Sequence, residues 1–180
     1  DSDTVIVSWL PLFHDLGLIG AALLPILLGG SAVLMSPATF LQKPVRWLQA
    51  ISKNKKVCGV APNFAFELCI KQITDEQKAG LDLSGWKWAL SGAETVRKST
   101  LDAFSERFAD VGFRREAFCF GYGLAEATLF VTGAGLCEEN ADRQLVTKQI
   151  SMKHLQSDHV VAATKTEIAE AAVTDLVGNG

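Results

Sequence analysis

The sequence predicts an α/β fold: a mostly parallel sheet with helices on both faces. Two observations carry this. Short, almost wholly apolar runs alternate with amphipathic ones, as strands buried on both faces alternate with crossover helices. The residues with chemistry to offer stand just after the apolar runs, where ligands bind in open parallel sheets.

Taken in order, Val5 to Trp9 reads as the first strand, followed by a Pro-containing loop holding His14 and Asp15. From Leu16 to Met35 no residue is charged, a length that could suggest a membrane span. Pro25 and Gly29-Gly30 interrupt it, so a buried helix, a turn and a buried strand at Ala32–Met35 fit better. Val45, Leu48 and Ile51 recur at helical spacing between Pro44, suited to a first turn, and Lys53. Val57–Ala61 is a strand, Phe64–Ile73 a helix and Trp86–Leu90 a strand. Val96–Phe108 is a helix with Leu101, Phe104 and Phe108 on one face, and Phe118–Phe120 a short strand running into a Tyr122 turn. Leu129–Thr132 suggests one more strand, and 143–161 a strand, a short helix and another strand. Residues 162–180 are Ala-rich and weakly defined, a helix or a frayed end.

Bulk properties exclude several classes. At 180 residues with 48% hydrophobic and 21% charged residues, the chain is an ordinary globular one. A net charge of −3 with no clustered basic face speaks against nucleic acid as partner. Cys58, Cys69, Cys119 and Cys137 form no C-x-x-C pair, and buried thiols in a reducing, cytoplasmic compartment are expected. No secretory signal opens the chain. Its abrupt start on a strand is read as an excerpt of something longer.

Three strand-end motifs carry chemistry. In Tyr122-Gly123-Leu124-Ala125-Glu126, the only tyrosine offers a flat face for adenine, Gly123 allows close backbone approach, and Glu126 is a hard oxygen ligand for Mg2+. The alternative is a core aromatic followed by a helix-start carboxylate. His14 beside Asp15 could serve as an acid–base pair or orient a substrate carboxylate; packing and helix-start roles are the alternative. Because adjacent side chains point apart, a direct His14–Asp15 dyad is not expected. Gly92, Ala93 and Glu94 after Ser91 are small, then acidic, and leave backbone groups open to a planar ring. A dinucleotide-binding reading of Gly121-x-Gly123 fails because Glu126 holds the third glycine position, and no G-x-S-x-G turn marks a hydrolase.

Together these segments carry a resemblance. SWLPLFHDLGL from Ser8 to Leu18, Pro62 to Ala65, Ser91 to Glu94, Phe113 to Phe118 and Tyr122 to Thr128, in that order, resemble the fatty acyl-AMP ligases. These belong with acyl-CoA synthetases, peptide-synthetase adenylation domains and luciferases. The resemblance implies the central part of one large N-terminal adenylation domain, with a core over about residues 5–135 and an inserted segment over about 137–161. It implies ATP-dependent activation of a fatty acid, with pyrophosphate released and the acyl group passed to an acyl carrier protein. Tyr122, Gly123, Leu124 and Ala125 with Gly92, Ala93 and Glu94 would hold the nucleotide, and Glu126 the Mg2+. His14 would sit near the reacting carboxylate, and Asn63 and Phe64 would line the acyl side. Ala125 replaces a threonine common in the superfamily, and Thr95 a usual proline. Acyl-CoA synthetase and a non-catalytic binding module are the rival readings. No Ser/Thr/Gly-rich phosphate loop ending in lysine is present, so the isolated chain is expected to lack adenylating activity.

Overall fold

The computed structural model describes residues 2–134 and 146–178. Six strands form one sheet in the order β2-β1-β3-β4-β5-β6: β1 (Val5–Ser8), β2 (Ser31–Leu34), β3 (Val57–Ala61), β4 (Trp86–Gly92), β5 (Phe118–Gly123) and β6 (Phe130–Ala134). All neighbours run parallel except β5 and β6, so the sheet is mostly parallel, as the alternating pattern predicts. The register Val7↔Gly59↔Ala89↔Phe118 sets one row of the sheet.

Alternation along the strands sorts the two faces. Val7, Val57, Ala61, Ala89, Phe118 and Phe120 join a buried core with the inner faces of α3 (Val45–Ser52), α4 (Asn63–Gln72) and α6 (Lys98–Phe108). At its centre Trp47, Phe66, Trp86 and Phe104 meet largely edge to face, the geometry aromatic quadrupoles favour. The Trp86 indole lies so close over Gly59 that a Cβ there would stand 2.9 Å from its Nε1. Ile6 and Val60 project to the other face, beside the π-wound stretch Leu16–Leu23, which continues as α1 (Leu24–Leu27).

Two expectations fail here. The 16–35 segment is not buried: Gly17, Gly20, Ala21 and Pro25 face inward, whereas Ile26, Leu27 and Leu28 are 74%, 81% and 56% exposed. Strand β2, expected as buried, is an outer edge with all four residues exposed. An apolar sequence reports surface that burial would stabilise; among the described residues nothing covers this part of it. The sequence also missed the short helices α2 (Pro37–Gln42) and α5 (Asp75–Lys78), each capped by the Ser36 or Thr74 hydroxyl. Strands β4 and β5 run on to Gly92 and Gly123, so Tyr122 stands in a strand and not in a turn.

Toward the C-terminus, β7 (Thr147–Ser151) pairs antiparallel with β8 (Val173–Val177), enclosing α7 (Met152–Leu155) and α8 (Lys165–Ala169). The weakly defined tail thus holds both a helix and a strand, and Val177 packs against the main core. Cys137 and the first part of the expected insertion lie outside the described residues. Cys58, Cys69 and Cys119 form no disulfide, and burial raises the Cys69 thiol and pushes that of Cys58 up to about 12, which leaves both unreactive. No helix among the described residues is long and apolar enough to cross a membrane.

Candidate active site

At the carboxyl ends of β4 and β5 a cleft of about 410 Å³ opens. Leu90 and Gly92 from β4 and Gly121 from β5 form its floor, since alternation turns all three to the same face. Ala93, Tyr122–Ala125, Leu129 and Phe130 form its walls, and Phe13, His14, Asp15 and Leu16 close it from the loop after β1.

Close backbone approach dictates the glycines. Gly92 pairs with Gly121, and a Cβ on Gly92 would stand 2.6 Å from the Gly121 carbonyl oxygen. At Gly123 a Cβ would fall 1.7 Å from the Leu129 carbonyl oxygen, where β5 bulges against β6. Ala93 holds a left-handed conformation at φ 65°, which a residue with a Cβ adopts only under constraint. Tyr122 is 52% exposed and so lies outside the core that the described residues form.

His14 is fixed by its own loop. Its N–H donates to the Pro11 carbonyl at 3.1 Å, and Gly17 packs so tightly under that carbonyl that a Cβ would come within 2.1 Å of it. Contrary to expectation, His14 Nδ1 and Asp15 Oδ1 lie 2.6 Å apart. Adjacent side chains diverge in a strand, but Asp15 is in the helical region, and the turn lets them converge. Asp15 Oδ1 also accepts the Leu16 N–H at 2.7 Å. The same N–H donates to His14 Nδ1 at 3.2 Å, so Leu16 ties both side chains to the start of the helical stretch.

Glu94, Asn63 and Phe64 lie elsewhere. With Glu67, Thr95 and Arg97 they line a second cleft of about 260 Å³. Glu94 Oε1 accepts the Phe64 N–H at 2.5 Å, placing a carboxylate on the first turn of α4. Phe64 stands edge-on to the buried Trp9 ring, with centroids 5.8 Å apart. Glu126 is exposed on a 3₁₀ turn, Ala125–Ala127, next to the cleft wall but outside its lining. No group of three or more acidic, histidine or cysteine side chains that could hold a metal ion occurs among the described residues. A lone carboxylate suits Mg2+ when phosphate oxygens and water complete its shell, so Glu126 fits that ion only with a nucleotide present.

Sequence reasoning thus found His14, Gly92, Ala93 and the 122–125 run in one place. It missed Leu90 and Gly121, which counting back two from Gly92 and Gly123 along a strand would have supplied. Phe13, Leu16, Leu129 and Phe130 carried no separate signal.

The AMP-binding enzyme family model matches residues 1–157. A medium-chain-fatty-acid–[acyl-carrier-protein] ligase of Teredinibacter turnerae is 39% identical over 173 residues, covering 96% of this chain and 26% of the relative. A long-chain-fatty-acid–AMP ligase of Mycobacterium marinum is 48% identical over 130 residues, covering 72% of this chain and 22% of the relative. The crystal structure of a fatty acid AMP ligase from Legionella pneumophila superposes with a TM-score of 0.89 at 43% identity, over 100% of this chain and 30% of that one. The chain thus spans about a quarter of the length of the curated relatives it matches. With that match over residues 1–157 and this sheet and cleft, the chain belongs to the AMP-binding enzyme family and resembles its fatty acyl-AMP ligases.

Proposed function

We propose that the chain is the central part of the large N-terminal domain of an ATP-dependent fatty acyl-AMP ligase. Its core spans about residues 5–135 and an inserted segment about 137–161. The observation that carries this is the meeting of His14, Gly92-Ala93 and Tyr122–Ala125 in one cleft at the strand ends. The names of the relatives, ligases of fatty acids to AMP or to an acyl carrier protein, support the substrate class.

In this reading the adenine ring lies against the exposed Tyr122 face and the Gly92-Ala93 backbone. Glu94 supports the strip from behind by holding the start of α4. A fatty acid carboxylate oxygen attacks the α-phosphorus of ATP; its bond to the bridging oxygen breaks and pyrophosphate leaves. In-line displacement needs positioning and charge neutralisation rather than a covalent nucleophile. His14 stands near the reacting carboxylate, with Asp15 beside its ring. Phe64 and the Asn63 backbone border the acyl side. Glu126 would hold Mg2+, which neutralises phosphate charge when bound. An acyl carrier protein is the acceptor and the cytoplasm the compartment. The 180 residues supply no lysine-ended phosphate loop and by themselves turn over no ATP.

The test is the intact ligase incubated with ATP, Mg2+ and a fatty acid. Acyl-adenylate with stoichiometric pyrophosphate is expected; the absence of any acyl-adenylate across short, medium and long acids rejects the reading. Transfer to coenzyme A but not to a carrier protein would reassign the acceptor alone.

A further inference from the structure

The turn between β4 and α6 divides the two clefts. Gly92 and Ala93 line the larger one, while Glu94, Thr95 and Arg97 line the smaller. The turn contains the left-handed Ala93 and is tied to the first turn of α4 at two points. Glu94 Oε1 accepts the Phe64 N–H at 2.5 Å, and Asn63 Oδ1 accepts the Arg97 N–H at 3.0 Å.

Behind the second tie is a polar knot. Asn63 Nδ2 donates to Glu67 Oε1 at 3.1 Å and to Thr100 Oγ1 at 3.3 Å, and the Thr100 hydroxyl donates to Glu67 Oε1 at 3.0 Å. Arg97 Nη1 lies 3.6 Å from the same oxygen. Asn63 and Thr100 are only 3% and 5% exposed. Both amide hydrogens of Asn63 are committed, so its side chain has no donor left for a substrate. Such buried networks are rigid when every member is satisfied and loosen when one is removed.

We propose that Thr100 and Glu67, acting through Asn63, are positioning residues that hold the 92–94 strip in its nucleotide-binding shape. The proposal rests on the ligase reading above. A strip that contacts the adenine ring contributes equally to ground and transition states, so disorder in it raises the KM for ATP and spares kcat. A purely structural role would instead lower the melting temperature or the active fraction and leave KM alone.

The experiment compares wild-type, Thr100→Val, Thr100→Ser and Glu67→Gln forms of the intact ligase, measuring pyrophosphate release at saturating fatty acid. Thr100→Val, which leaves an Asn63 hydrogen and Glu67 without the hydroxyl, is expected to raise the KM for ATP about tenfold with kcat within about twofold. Thr100→Ser is expected to restore it. Glu67→Gln, which keeps volume and loses charge, is expected to raise it about threefold, and decides the matter if the valine variant does not fold. An unchanged KM for ATP in an active, folded Thr100→Val or Glu67→Gln enzyme overturns the proposal. A wild-type enzyme that forms no acyl-adenylate overturns the ligase reading instead, and the proposal with it.

Discussion

His14 Nδ1 and Asp15 Oδ1 lie 2.6 Å apart, which sets a carboxylate against the histidine at the edge of the cleft. Asp15→Asn keeps the shape and removes the negative charge that lies beside His14 Nδ1. We expect the rate of adenylate formation in the intact ligase to fall by about tenfold, the equivalent of about 1.4 kcal/mol of lost charge interaction. The substitution should leave the melting temperature close to that of wild type, because His14 is largely exposed. Rates unchanged within about twofold would remove Asp15 from the machinery.

Gly17 is a second support for His14. A methyl group there would meet the Pro11 carbonyl oxygen at 2.1 Å and the Pro11 carbonyl carbon at 2.8 Å, both backbone atoms that cannot rotate away. Gly17→Ala must push the 11–17 loop outward. A loss of about 1–3 kcal/mol in denaturant unfolding is expected, the range for overpacking a tight site. Gly29, with nothing within 4 Å of a Cβ, is a spatial control, although its φ of 67° makes alanine there mildly strained.

How far the sequence revealed this site depends on what each residue depends on. Strand-end position follows from local patterning, so His14, Gly92, Ala93 and Tyr122 were legible one at a time. Their convergence in one cleft was legible only through resemblance, because the order β1-β3-β4-β5 that brings them together is a tertiary fact. The Asn63–Glu67–Thr100 knot joins residues up to 37 positions apart through side chains ordinary in any helix, and nothing in the sequence announces it. The exposure of β2 was illegible for the opposite reason: Ser31–Leu34 is apolar whether or not anything covers it.

Ala93 at φ 65° makes an unusual forecast. An L residue in this region costs about 1–2 kcal/mol, whereas glycine costs little there but adds about 0.5–1 kcal/mol of chain entropy to lose on folding. The terms nearly cancel, so Ala93→Gly should change stability by less than about 1 kcal/mol. Ala93→Val, whose branched Cβ is worse in this region, should destabilise by about 2 kcal/mol. Chemical denaturation of the two variants checks the order; a glycine variant clearly less stable than the valine one would contradict the left-handed turn.

The β7–β8 unit should respond to acid. Ser151 donates its hydroxyl to Glu167 Oε1, and the Thr164 N–H and hydroxyl donate to Oε2 at 2.9 and 2.8 Å. These donors, Ser151 first, favour the carboxylate and hold Glu167 at about 2 against an ordinary value of 4.5. A carboxyl whose pKa is lower folded than unfolded contributes stability above its unfolded value and loses it as pH falls toward the folded one. The local unit should therefore weaken between about pH 4.5 and pH 2. Amide hydrogen exchange at β7 and β8, compared with the six-stranded sheet, follows this directly. Glu167→Gln should flatten the acid limb at β7 and β8 and leave exchange in β3 and β4 unchanged; an equal acid response in both proteins would place the sensitivity on another group.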